Sequence, residues 1–203
     1  MVKTLIFDFG DVFINLDKEG AMRYALDIFK IQALSHEMIE LNKAYEQGHI
    51  TTSDFVRGYQ DQVSGLSETE LIDIWNYIIK DFPMHRLSFL KDLSSKGDYE
   101  LILLSNTNDL HIDFIKKNVS FYEEFKDQFD KFYLSHEIHL RKPEPSIFQY
   151  VIDNNNLKPN QCLFIDDTPE NTETADKMGL HTWTIDPASE DVVHLFKKFD
   201  HLF

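Results

Sequence analysis

The chain is poor in cysteine and in basic residues, and each shortage excludes a class of protein. Its 203 residues include one cysteine, Cys162, which excludes an internal disulfide framework and fits a reducing compartment such as the cytoplasm. Twenty Lys and Arg against 35 Asp and Glu give a formal charge of −15, which argues against nucleic acid or an anionic membrane as a partner. No segment approaches the roughly twenty apolar residues of a membrane span, and no signal-peptide pattern opens the chain. We therefore expect a cytoplasmic protein with a small-molecule partner, and the composition leaves the oligomeric state open.

Short apolar runs lead directly into polar segments at three places in the chain. The runs cover residues 5–7, 101–104 and 162–165, and their length and composition are typical of buried parallel strands. In an open α/β sheet, ligands bind at the carboxyl ends of such strands. We therefore expect the side chains that follow to meet at one edge of a sheet, together with a fourth polar segment at Lys142-Pro143; the candidates are Asp8, Ser105, Lys142, Asp166 and Asp167.

The types and order of these four segments resemble the haloacid dehalogenase (HAD) superfamily, most of whose members are magnesium-dependent phosphatases that form an aspartyl-phosphate. The resemblance implies that Asp8 is the nucleophile, that Ser105 binds the transferring phosphoryl group, and that Lys142 binds phosphate. It also places Asn106 in contact with the phosphate. These residue types suit the chemistry, because a carboxylate splits ester hydrolysis into two steps and the cations and amides neutralise the phosphate charge.

The same resemblance implies a Mg²⁺ site formed by Asp8, the carbonyl of Gly10 and Asp167. Mg²⁺ prefers oxygen ligands and is commonly held by one or two carboxylates plus substrate oxygens. The neighbouring Asp166 has two interpretations at this point. It is either a second metal ligand or an acceptor that positions the residues around the metal.

Gly10 departs from the pattern of most phosphatases in this superfamily, which have a second aspartate there to protonate the leaving oxygen. Asp11 comes one residue later and is expected to point elsewhere. A subset that hydrolyses α-D-glucose 1-phosphate also has glycine at this position, and this chain is similar to it around 104–111 and 133–144. A hemiacetal hydroxyl is an acidic leaving group that needs less help from an enzyme acid, so sugar 1-phosphates are the first candidates for the substrate.

Apolar residues at helical spacing between the first two motifs predict an inserted helical cap. Four helices are expected, around residues 21–29, 38–45, 55–63 and 71–79, the last preceded by a capping box from Ser67 to Glu70. The predicted fold is α/β, a Rossmann-like doubly wound parallel sheet, with a core of 1–15 and 83–203 and a cap of 16–82. The turn at 45–51 resembles a substrate-specificity loop of capped HAD proteins, and it is equally well read as an ordinary interhelical turn.

These features together predict a Mg²⁺-dependent phosphatase that acts on a small phosphorylated metabolite through an aspartyl-phosphate. Two alternatives stay open at this stage. A 2-haloacid dehalogenase also uses an aspartate nucleophile, but members of that family lack the metal-binding acids and usually have an aromatic residue at the position of Gly10. A module that binds phosphate or protein without catalysis is suggested only by Gly10.

Overall fold

A computed structural model describes all of residues 1–203 and contains one five-stranded parallel sheet. Its strands lie in the order β3-β2-β1-β4-β5. Their bounds are β1 Thr4–Phe7, β2 Glu100–Ser105, β3 Lys131–Leu134, β4 Cys162–Asp166 and β5 His181–Thr184. The order reverses on the two sides of β1, as in a doubly wound sheet. The predicted α/β class is therefore confirmed, as are the three predicted strands, which are β1, β2 and β4.

Alternate side chains of the central strands enter two separate hydrophobic cores. Leu5 and Phe7 of β1 belong to a cluster of 25 buried residues on one face, whereas Ile6 belongs to a cluster of 11 on the other. β2 and β4 alternate in the same way, which is the period expected of a strand. Cys162 is fully buried in the smaller cluster, so it packs in the core as the sequence indicated.

Helices and short 3-10 turns cover both faces of the sheet. Those outside the first connection are α5 Met84–Lys96, α6 Asp109–Asn118, α7 Tyr122–Lys126, α8 Ser135–Ile138, α9 Pro145–Asn154, α10 Pro169–Lys177 and α11 Leu195–Lys198, with 3-10 turns at Pro159–Gln161, Val192–His194 and Asp200–Leu202. None of the helices combines the length and the apolar character that a membrane crossing requires. The 3-10 turn at Val192–His194 leads directly into the single turn of α11.

The connection from β1 to α5 contains four helices with their own hydrophobic cluster. We call residues 18–76 the helical insertion; it comprises α1 Lys18–Phe29, α2 His36–Glu46, α3 Thr52–Gln62 and α4 Glu68–Asn76. Nine buried residues, among them Phe55 and Leu71, form its core. The capping box of Ser67 and Glu70 begins α4 as predicted, and Thr51 with Asp54 forms a second one at α3. The fourth helix ends at Asn76, three residues before its predicted end, and the domain boundaries stay a prediction.

The start of α10 is held by a side chain of β4. Thr168 occupies the N-cap position of α10, but its side chain makes no capping hydrogen bond. Its backbone N–H instead donates to Asp166 Oδ1 at 2.8 Å. The carboxylate at the end of β4 therefore holds the start of this helix, and the threonine side chain does not.

His111 of α6 joins the sheet region to the helical insertion through a partly buried, uncharged ring. Its Nε2 lies 3.2 Å from the carbonyl oxygen of Trp75, and its Nδ1 lies 3.3 Å from Asn108 Nδ2. These partners require a proton on Nε2, which donates, and none on Nδ1, which accepts. Burial lowers the pKa of His111 to about 4, and the hydrogen bond to Trp75 only partly offsets this effect.

We expect this ring to make the unfolding free energy depend on pH. Unfolded histidine takes up a proton below about pH 6.5, whereas folded His111 does so only near pH 4, so stability is complete above 6.5 and is lost as pH falls towards 4. His111→Gln should reduce the slope of unfolding free energy against pH in this window by up to about 1.4 kcal/mol per pH unit. Urea titrations at several pH values measure this slope, and the variant His36→Gln, which changes an exposed histidine, is the control. Equal slopes in wild type and His111→Gln would contradict the assignment.

Candidate active site

Lys142 is a buried ammonium group at the carboxyl edge of the sheet. Its side chain is 1% exposed. Its Nζ donates to the carbonyl oxygen of Leu104 at 2.8 Å and to Asp166 Oδ2 at 2.6 Å, and lies 2.9 Å from Asp8 Oδ1. Burial opposes its charge, but Asp166 and Asp8 outweigh this effect and raise the pKa of Lys142 above its usual value. The lysine therefore stays charged between two carboxylates.

Asp8 directly follows β1, and its backbone N–H donates to Ile165 of β4. The residue is 9% exposed, and burial raises its pKa to about 7 against the opposing effect of Lys142. Lys142 approaches Oδ1 in a direction that gives a charge pair without a hydrogen bond, so this buried oxygen accepts none. Such an oxygen is costly without a further partner, which is typical of a site completed by a cation or a substrate.

Asp166 is fully buried and its two oxygens already have several donors. They accept from Lys142 Nζ, from the backbone N–H of Thr168, and from Asn171 Nδ2, which lies 3.0 Å from both oxygens. These bonds occupy the lone pairs that a metal would need. Of the two interpretations of Asp166, the geometry favours the acceptor that positions Lys142.

Asp167 faces outward and pairs with Lys18, which sequence analysis did not identify. Lys18 Nζ lies 2.5 Å from Asp167 Oδ2 and 3.0 Å from Asp11 Oδ2. Asp11 also accepts from the backbone N–H of Leu16 and has a left-handed backbone, with φ of 56°. Asp11 thus lies at the rim of the site through its contact with Lys18, although the acid of related phosphatases stands one residue earlier, at the position of Gly10. No sequence pattern indicated Lys18, because its approach depends on how α1 packs.

Ser105 and Asn106 end β2 beside Lys142. Ser105 is 3% exposed, and its hydroxyl makes no hydrogen bond within the protein. The side chain of Asn106 donates to the Lys142 carbonyl oxygen at 2.8 Å and accepts from the Lys142 N–H at 2.9 Å. This reciprocal pair holds the lysine in place, and the expected contact of Asn106 with phosphate stays a prediction.

Gly10 has no room for the aspartate found in related phosphatases unless a neighbour moves. A Cβ on Gly10 would lie 2.6 Å from Leu16 Cδ1. The leucine methyl group thus takes the space that an acid would use. The Gly10 carbonyl accepts no hydrogen bond, which leaves it free to bind a cation.

The acids at this edge fit a divalent cation. Carboxylate oxygens of Asp8, Asp166 and Asp167 lie within 4.8 Å of one another. Burial raises the pKa of Asp167 as well as that of Asp8, although each has a lysine partner. The two lysines therefore do not fully compensate the negative charge of these buried carboxylates. With Asp166 occupied by other donors, Asp8, Asp167 and the Gly10 carbonyl are the groups that would hold Mg²⁺.

The turn at 45–51 contacts the sheet region beside Lys142. Gly48 has φ of 64°, and a Cβ there would lie 2.0 Å from the His136 carbonyl oxygen, so both its backbone and its close approach require glycine. Before it, Glu46 accepts from Arg141 Nη2 at 2.9 Å. Arg141, which precedes Lys142, is therefore an anchor for the helical insertion.

Comparisons with known proteins agree with this geometry. The model of the haloacid dehalogenase-like hydrolase family matches residues 2–179. D-ribitol-5-phosphate phosphatase of Bacteroides thetaiotaomicron is 26% identical over 191 residues, which cover 90% of this chain and 91% of that protein.

Solved structures also resemble this chain over nearly its whole length. The HAD family enzyme bt-2542 from Bacteroides thetaiotaomicron has a TM-score of 0.86 at 35% identity, over 96% of this chain and 98% of that one. Its wild-type complex with magnesium and inorganic phosphate has a TM-score of 0.83 at 34% identity, over 97% and 100%.

Fold and site together define an α/β hydrolase with an acid-lysine centre at the carboxyl edge of its sheet. The chain belongs to the haloacid dehalogenase-like hydrolase family.

Lys18 should compete with Mg²⁺ for Asp167, because both cations need the same carboxylate oxygen. Lys18→Met is expected to tighten Mg²⁺ binding on the order of two- to fivefold, the range that a half-exposed ion pair supports. Titration calorimetry without phosphate measures it. Lys43→Met removes the same charge from α2, where Lys43 pairs with Glu40, and should leave Mg²⁺ affinity unchanged. Weaker binding in Lys18→Met than in wild type would contradict the competition.

Proposed function

We propose that this protein is a Mg²⁺-dependent phosphatase that hydrolyses a small phosphomonoester through an aspartyl-phosphate on Asp8. The observation that carries the proposal is the buried Lys142 between Asp8 and Asp166, with Asp167 at the open side. Membership of the family, the phosphatase relative and the magnesium and phosphate complex of a similar structure support it. The relative named for D-ribitol 5-phosphate also supports sugar phosphates as one substrate class.

In the first step, a carboxylate oxygen of Asp8 forms a bond to phosphorus while the bond from phosphorus to the leaving oxygen breaks. In the second step, water attacks the phosphorus, its proton is lost to solvent, and Asp8 is released with inorganic phosphate. Lys142 and Ser105 hold the phosphoryl oxygens as charge moves between attacking and leaving groups. Mg²⁺ bound by Asp8, the Gly10 carbonyl and Asp167 would supply further neutralisation of the phosphate.

The two other functions have less support. A dehalogenase needs no metal-binding acids, and here three carboxylates lie within 4.8 Å of one another. A module without catalysis gives no reason to bury a lysine and two aspartates together, since removing charges from water is costly.

Asp8→Asn is expected to reduce phosphate release at least about a thousandfold, because the amide is not a nucleophile and loses the charge that binds Mg²⁺. Phosphate release from aryl and sugar phosphates with and without Mg²⁺ measures the effect. The exposed Asp127→Asn makes the same chemical change away from the site and should retain full activity. Activity in a folded Asp8→Asn protein near that of the control would exclude the aspartyl-phosphate.

The glycine at position 10 leads to a prediction about how the rate depends on the leaving group. Without an acid beside the leaving oxygen, negative charge builds up on it, so phosphoryl transfer should accelerate strongly as the leaving-group pKa falls. Single-turnover rates for substituted aryl phosphates of similar size test this dependence. A flat plot of rate against leaving-group pKa would show that another group, such as Asp11, donates the proton.

A further inference from the structure

The helical insertion contains a cavity of about 270 Å³, to which the reaction proposed above assigns no role. It lies among α1, α2, α3 and α4 and the first turn of α6, and 14 of its 18 lining residues are hydrophobic. Ala21 and Ala25 stand one turn apart on α1 and leave the space open, because larger side chains there would fill it. The size is close to the lower end of ordinary ligand pockets, about 300 Å³.

The polar side chains that line the cavity already have protein partners. Lys18 pairs with Asp167, Glu46 with Arg141, Asn42 accepts from the Tyr59 hydroxyl, and His111 bonds to Trp75 and Asn108. Only Asn42 Nδ2 and Glu46 Oε1 are left without a protein partner among these side chains, so a polyol placed here would recover only part of its hydrogen bonds to water, which is unfavourable. An apolar group would lose only contact with water, which is favourable.

The cavity lies next to the proposed phosphate site. Lys18 lines it and also contacts Asp167. On another side, Glu46 lines it and bonds to Arg141, the neighbour of Lys142. Lys18 is therefore shared by the cavity and the proposed phosphate site, and a leaving group directed from Asp8 past Lys18 would enter the insertion.

We propose that the substrate is a phosphomonoester of an apolar alcohol, with its alkyl or aryl leaving group bound in this cavity. The proposal rests on the proposed phosphatase function and narrows its substrate class. In this proposal the four helices select the leaving group, and the carboxylates and Lys142 bind the phosphate.

The test is a series of n-alkyl phosphates from ethyl to octyl, compared with D-ribitol 5-phosphate and p-nitrophenyl phosphate. Leaving-group acidity is nearly constant along the alkyl series, so changes in kcat/KM report burial of the chain. We expect kcat/KM to rise by up to about fourfold per methylene until the cavity is full, and to exceed that for D-ribitol 5-phosphate from hexyl onward.

A matched pair of variants locates the effect. Ala25→Phe fills part of the cavity and should stop the rise at a shorter chain, whereas Ala33→Phe adds the same ring at an exposed position and should leave the series unchanged. Calorimetry of hexylphosphonate binding gives a readout without turnover, and wild type and Ala33→Phe should show a more negative heat-capacity change than Ala25→Phe. If Ala25→Phe does not fold, Ala25→Leu makes the smaller change.

The outcomes separate the two proposals. Hydrolysis of p-nitrophenyl phosphate and D-ribitol 5-phosphate with a flat alkyl series would overturn the apolar substrate and leave the phosphatase function standing. No phosphate release from any compound with Mg²⁺ present would overturn both. A rising alkyl series that Ala25→Phe and Ala25→Leu do not shorten would place the alkyl chain outside the cavity and overturn the assignment.

Discussion

The buried charge of Lys142 is the constraint on which the rest of the site depends. A lysine removed from water is stable only with close partners, and this one has Asp8 after β1, the Leu104 carbonyl of β2, and Asp166 of β4. Three neighbouring strands must therefore end at the same level of the sheet for the charge to be satisfied. The same requirement brings the nucleophile candidate, the hydroxyl of Ser105 and the outward-facing Asp167 to one place.

The strands and the four motifs could be predicted from sequence because each rests on local information. An apolar run such as 101–104 is buried on both faces whatever packs against it, and a polar residue after it can only lie at the edge of the sheet. The role of Asp166 beside Asp167 could not be decided, since adjacent residues at a strand end point in opposite directions and the direction depends on sheet register. Lys18 could not be predicted either, because its approach to Asp167 depends on how an inserted helix packs.

The charged site and the apolar cavity lie in different parts of this chain. The carboxyl edge of the sheet contains the charged groups, and the helical insertion contributes Lys18, Glu46 and an apolar interior. Leu16, which fills the space beside Gly10, lies in the connection between them. The absence of an acid at Gly10 thus coincides with an apolar side chain in the space beside it.

The central place of β1 has a consequence for how the chain is made. Thr4 pairs with Glu100 on one side and with Cys162 on the other, so β1 is synthesised well before either of the strands that pair with it. Until then, an apolar segment with two unpaired edges stays exposed, the situation in which slow parallel pairing and aggregation compete. The helical insertion follows β1 in the chain and has its own hydrophobic cluster. It can therefore collapse before β1 is paired and keep much of the intervening chain compact.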